Sequence, residues 1–118
     1  MSIQSYDEAR RVFETTRRRK LANNTWLLKN EQLGYYAIRL HDTEVVQYYP
    51  DKTVLNSGGW RTVMRKERLN CFSPFGIWQD KGVWYVQKDP GDYENYVAFA
   101  DGMYYRQKTK KWYNTGKA

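Results

Sequence analysis

Cysteine and histidine are almost absent, with one of each, Cys71 and His41, in 118 residues. A lone thiol excludes an intramolecular disulfide, and two candidate ligands cannot close a Cys/His zinc cage. The sequence therefore predicts no metal and no cofactor, and it suits a reducing compartment. Proline is scarce too, at three residues, and no stretch approaches the roughly 18 to 20 apolar residues that a bilayer span needs. Residues 1–8 show neither the basic start nor the apolar stretch of a secretory signal, so the expectation is a cytoplasmic protein with no membrane partner.

Aromatic residues are plentiful instead. Eleven Tyr, five Trp and four Phe make 17% of the chain, enough ring area to favour an ordered, β-rich body over a disordered one. The length suits one domain, 1–118, with a single core. The formal net charge is +7, but it is unevenly spread. Segments 10–20, 61–68 and 106–117 carry +13 between them and the remainder −6. Basic charge concentrated in this way is the usual footprint of a surface for polyanions, although solvated helix faces and a solubilising tail produce the same pattern.

The spacing predicts a helix over 5–21. Ser5 and Glu8 form a capping box; Tyr6, Ala9, Phe13 and Thr16 recur on one face; Arg17, Arg18, Arg19 and Lys20 fall in the last turn, where cations complement the helix dipole. Asn23 and Asn24 are the expected stop. From 25 to 107 the period changes to two, with short polar joints, which predicts an antiparallel meander of six to eight strands. Gly58 and Gly59 interrupt it, and a second helix is expected over about 60–72. Its phase would put Trp60, Met64 and Cys71 on one apolar face and Arg61, Arg65 and Arg68 on the next. Asp101-Gly102 reads as a hairpin turn, and 108–118 as a basic, flexible tail. The fold class is α+β: an N-terminal helix packed on an antiparallel sheet, with a second short helix after Gly58-Gly59.

Catalytic readings are weak. His41, Asp42 and Glu44 are the residue types for acid/base work or a hard cation, and a small hydrolase built on His41 and Asp42 is one reading, but on a hairpin loop an ordinary polar turn explains them. Cys71 has no sequence-local base and reads as a buried thiol. Ser57-Gly58-Gly59 lacks the Gly-Lys-Ser/Thr ending of a nucleotide-binding P-loop; its amides could face an anion, and a tight turn is the simpler account. The sequence is therefore read as non-enzymatic. Rings and cations alternate at Tyr35, Tyr36 and Arg39, at Trp60 and Arg61, and at Tyr104, Tyr105 and Arg106, a pattern suited to stacking unpaired bases while phosphates are held. Half of such rings must nonetheless be core. The expected contacts to DNA or RNA are Arg17, Arg18, Arg19, Lys20, Arg61, Arg65 and Arg68, with Trp60 stacking a base or supporting its helix.

The run 36–46, then 49–51, and above all Leu55-Asn56-Ser57-Gly58-Gly59-Trp60-Arg61-Thr62 resemble a family of small proteins encoded by bacteriophages and bacterial mobile elements. The likeness continues through 66–70, 82–86 and 99–103, and so covers roughly 24–103. Lys52 stands where a turn glycine is expected, and the basic ends lie outside the shared pattern. The resemblance implies an accessory protein in the host bacterial cytoplasm that acts on nucleic acid, or alternatively an anti-CRISPR-like or other anti-defence inhibitor that binds a host protein or nucleoprotein complex. It implies no catalytic residues.

Overall fold

In a computed structural model, residues 3–117 are described; of the segment read for a signal, residues 1 and 2 lie outside them. The first helix, α1 (Tyr6–Thr15), is capped by Ser5, whose Oγ accepts from the Glu8 amide at 3.2 Å and donates to Glu8 Oε1 at 3.2 Å. It stops a turn and a half before the expected end. Phe13 is its last large apolar residue, and beyond it a further turn would bury nothing. The basic run therefore leaves the helix: Arg17 to Arg19 are extended chain and Lys20 opens β1 (Lys20–Ala22). Asn23-Asn24 is a hairpin turn, with Asn24 at φ 51°, and not a helix stop.

β2 (Thr25–Asn30), β3 (Tyr35–Leu40), β4 (Thr43–Tyr48) and β5 (Lys52–Leu55) follow as the antiparallel meander that the alternation predicts. After α2 (Val63–Phe72) come β6 (Ile77–Asp80), β7 (Val83–Gln87), β8 (Tyr96–Ala98), β9 (Tyr104–Arg106) and β10 (Lys111–Tyr113). These ten strands form two sheets, ordered β1-β2-β3-β4-β5-β9-β10 and β6-β7-β8. The expected hairpin at Asp101-Gly102 does not form: β8 pairs with β7 and β9 with β5, so these residues cross between sheets. The C-terminal segment is not loose either. β10 completes the large sheet, and Trp112 packs on Phe75 and donates its indole N–H to the Gln87 and Lys88 carbonyls.

Alternation places Tyr36, Ile38, Leu40, Val46, Tyr48, Leu55 and Tyr105 on one face of the large sheet, and there the core forms. Tyr6 and Phe13 of α1 meet Tyr36 on this face, α2 brings Leu69 and Phe72, and the small sheet brings Trp84 and Val86. Asn70 ties α2 to the small sheet by a pair of hydrogen bonds to the Ile77 backbone, at 2.8 and 2.9 Å. Tyr48 is fully buried, and its hydroxyl donates to the Phe72 carbonyl at 2.5 Å and the Ile3 carbonyl at 3.2 Å. Tyr48→Phe should therefore cost about 1–3 kcal/mol in chemical unfolding, because it strands buried carbonyls at the end of α2 and at the N-terminal segment.

Candidate nucleic-acid interface

The three arginines expected on one helix face are not presented together. Arg61 precedes α2, and its Nη1 pairs with Asp101 at 3.0 Å while the guanidinium lies over the rings of Phe99 and Trp84. Arg65 is only 7% exposed. Arg68 Nε donates to Thr25 Oγ1 at 2.9 Å, its Nη1 pairs with Glu67, and its side chain is 11% exposed. The helix is turned by about one residue from the expected phase: Arg65, Leu69 and Phe72 face inward, whereas Trp60, Met64 and Cys71 face solvent. With an arginine among its inward positions, α2 has no clear apolar stripe to set the phase from sequence. In the first basic run, Arg17 and Arg18 are exposed, Arg19 lies 3.7 Å over the Phe13 ring and bonds the Thr16 carbonyl, and Lys20 reaches toward Trp26.

The glycine pair serves the fold. Asp101 accepts from the Ser57 amide and hydroxyl at 2.7 Å each and from the Gly59 amide at 3.0 Å, and Arg61 also donates to Ser57 Oγ. The anion faced by these amides is thus the chain's own carboxylate. Gly58 has φ +69°, and a Cβ there would lie 2.5 Å from Thr43 Oγ1. Gly58→Ala should lower stability by more than the roughly 1 kcal/mol of an ordinary loop glycine, as measured by thermal unfolding.

The other face of the large sheet is where cations and rings meet. Both helices and the small sheet pack on the core face; on the other face Tyr35 and Ala37 of β3 are buried, and the cations and rings around them are half-buried or exposed. The outward positions carry Lys20 on β1, Trp26 on β2, Arg39 on β3, Lys52 on β5, Arg106 on β9, and Lys111 and Tyr113 on β10. Lys52 Nζ sits 4.8 Å from the ring of Tyr49 and 4.9 Å from that of Tyr104. Arg106 lies 5.3 Å over Tyr104 and 5.7 Å over Tyr113, and those two tyrosines stack at 5.2 Å and 15°. Tyr35 extends the row by packing 4.8 Å from Tyr49. Glu44 is the carboxylate among these strand positions, and it is engaged by the Tyr35 hydroxyl at 2.8 Å and by Gln47 at 2.9 Å. Burial, with the Glu44 hydrogen bond second, pushes the Tyr35 phenol above its ordinary pKa, and burial followed by the Glu44 charge does the same at Tyr49. Asp51, at the rim, pairs with Arg106 at 3.3 Å.

Lys20, Arg106 and Lys111 of the basic segments share this face with the aromatic strands. The Kyanoviridae Gp96 protein family matches residues 4–113. The chain belongs to that family. It is a phage protein family, and the match extends beyond the expected 24–103 to include the basic first segment and all of β10. Nothing matches among curated proteins or among solved structures. The family's span therefore covers the whole seven-stranded sheet, including both edge strands that supply cations to its open face. No helix among the described residues is long and apolar enough to cross a membrane.

Proposed function

We propose that this phage accessory protein binds single-stranded nucleic acid across the open face of its large sheet and performs no catalysis. The observation that carries the reading is the row of alternating cations and rings from Lys20 and Trp26 at one edge to Lys111 and Tyr113 at the other. Seven strands at the usual 4.8 Å spacing make this track about 29 Å wide, long enough for several nucleotides. Lys20, Arg39, Lys52, Arg106 and Lys111 hold phosphates, with exposed Arg17 and Arg18 flanking the β1 edge. The rings offer surface to unpaired bases, which a duplex keeps inside its stack. Arg61 and Arg68, held by Asp101 and by Thr25 and Glu67, and Arg65, buried on the side of α2, are not part of this surface.

In a fluorescence-anisotropy titration, a labelled single strand should bind more tightly than a duplex of the same sequence. Log affinity should fall linearly with log salt, by about 0.7 for each phosphate contacted. Equal binding of duplex and single strand, or affinity indifferent to salt, overturns the reading. Co-purification of a host protein that survives nuclease treatment, with no binding of bare nucleic acid, would favour an inhibitor instead.

A further inference from the structure

Glu44 is a carboxylate set among cations and rings, and it is not spent on neutralising them. No ion pair among the described residues includes it, although Arg39 is its cross-strand partner. Its Oε1 is fixed instead by two neutral donors, the Tyr35 hydroxyl at 2.8 Å and Gln47 Nε2 at 2.9 Å. Oε2 accepts no hydrogen bond among the described residues and, unlike Arg39 Nε, it is not shut away from solvent. A carboxylate held by one oxygen with the other left open is a preorganised acceptor.

Glu44 lines a cavity of about 360 Å³ on the open face, together with Leu28, Asn30, Tyr35 and Ala37, a size at the low end for small-ligand sites. Tyr35 orders its polar wall. The phenol oxygen donates to Glu44 Oε1 and accepts from Asn30 Nδ2 at 3.4 Å, so a carboxylate acceptor and an amide donor stand on either side of one buried hydroxyl-bearing ring. Asn30 is anchored as well, because its Oδ1 accepts from the Leu33 amide at 2.9 Å. We propose that this cavity takes a guanine base of the bound strand, with Glu44 Oε2 accepting from N1–H and the 2-amino group and Asn30 donating to O6; the proposal rests on the open face binding single-stranded nucleic acid. Guanine carries two adjacent donors beside a carbonyl on the edge that an unpaired base exposes. Adenine and cytosine each offer one amino group there, beside ring-nitrogen acceptors. The lone N–H of thymine or uracil lies between two carbonyls, which a carboxylate repels.

The test compares, by fluorescence anisotropy at fixed salt, a labelled strand of thymines with the same strand carrying one central guanine. The guanine strand should bind about 5- to 150-fold more tightly, the discrimination of a good bidentate base contact. A central adenine controls for purine stacking and should gain much less. Hypoxanthine in place of guanine lacks the 2-amino group and should lose most of the advantage; this comparison uses the unsubstituted protein, so it decides the matter even if a variant fails to fold. Glu44→Gln should bring the guanine strand down to the level of the thymine strand, which itself binds somewhat more tightly because a negative charge has left a face that holds phosphates. A packing role for Glu44 would weaken both strands alike and would not distinguish guanine from hypoxanthine. Equal affinity for the guanine and thymine strands, an adenine or hypoxanthine strand that matches guanine, or a guanine preference undiminished in Glu44→Gln overturns the guanine site while leaving the open face in place. Failure of every strand to bind overturns both.

Discussion

Replacing Lys52, Arg106 and Lys111 together with alanine should weaken single-strand binding on the order of 100-fold at moderate salt, because three charge-assisted phosphate contacts at roughly 1 kcal/mol each are lost. The slope of log affinity against log salt should flatten by about 2, the signature of three fewer counterions released. These side chains point away from the core, so the unfolding midpoint should barely move. Tyr104→Ala acts by a different route. Stacking is worth about 1–3 kcal/mol per base, so affinity should fall by roughly 5- to 150-fold with the salt slope unchanged. Arg68→Ala provides the contrast: it removes the Arg68 Nε bond to the Thr25 hydroxyl, which keeps only its bond to the Asn23 carbonyl, and lowers stability, yet the affinity of the folded protein should remain as before. If Arg68→Ala weakened binding while the triple alanine variant did not, the interface would lie on the helix and not on the sheet.

Asp101→Ala should produce the largest loss of stability among the polar positions, about 2–3 kcal/mol by urea denaturation. One carboxylate holds two amides, a hydroxyl and the Arg61 guanidinium, and it joins the loop between β5 and α2 to the crossing between the sheets. Partial burial pushes the Asp101 pKa upward; the Ser57 hydrogen bonds and the Arg61 charge outweigh it and hold the group below its ordinary value of 3.8. A depressed carboxylate contributes stability that is fully present above its unfolded pKa. That contribution fades as pH falls below 3.8 through the lower folded value. Stability profiles of the unsubstituted protein and Asp101→Ala should therefore differ by a constant amount at neutral pH and converge in acid. A gap that persists undiminished well below that range would mean that the carboxylate's charge is not what holds the loop.

Much of the fold is legible in the residues. Ser5 and Glu8 mark the start of α1, and the alternation from Thr25 to Leu55 marks four strands and the face each side chain takes. The misreadings have local causes. The end of α1 was obscured because Arg17 to Lys20 suit a helix terminus electrostatically, yet no apolar residue follows Phe13 to anchor another turn. Asp101-Gly102 has turn chemistry, but turn chemistry does not say which strands pair. The phase of α2 was ambiguous because Arg65 occupies an inward position that charge alone assigns to solvent.

The candidate interface divides in the same way. The interleaving of Tyr104, Tyr105 and Arg106 is visible in sequence, and period two already implies that Tyr104 and Arg106 share a face while Tyr105 takes the other. The expectation of a flexible tail hid Lys111 and Tyr113, and Lys52 looked like a misplaced turn glycine until its neighbours were known. The sequence by itself determined the α+β class, the alternation of each strand, the lack of a zinc cage and the concentration of positive charge in three segments, because these depend on composition and on periods of two and 3.6. Only the tertiary structure decided that β9 pairs with β5 and β10 with β9, bringing residues some fifty positions apart into one row. It also decided that Arg65 and Arg68 turn inward and that Arg61 is held against Asp101. Strand order and helix rotation are settled by which surfaces bury most area together, a property of the whole chain that no local spacing records.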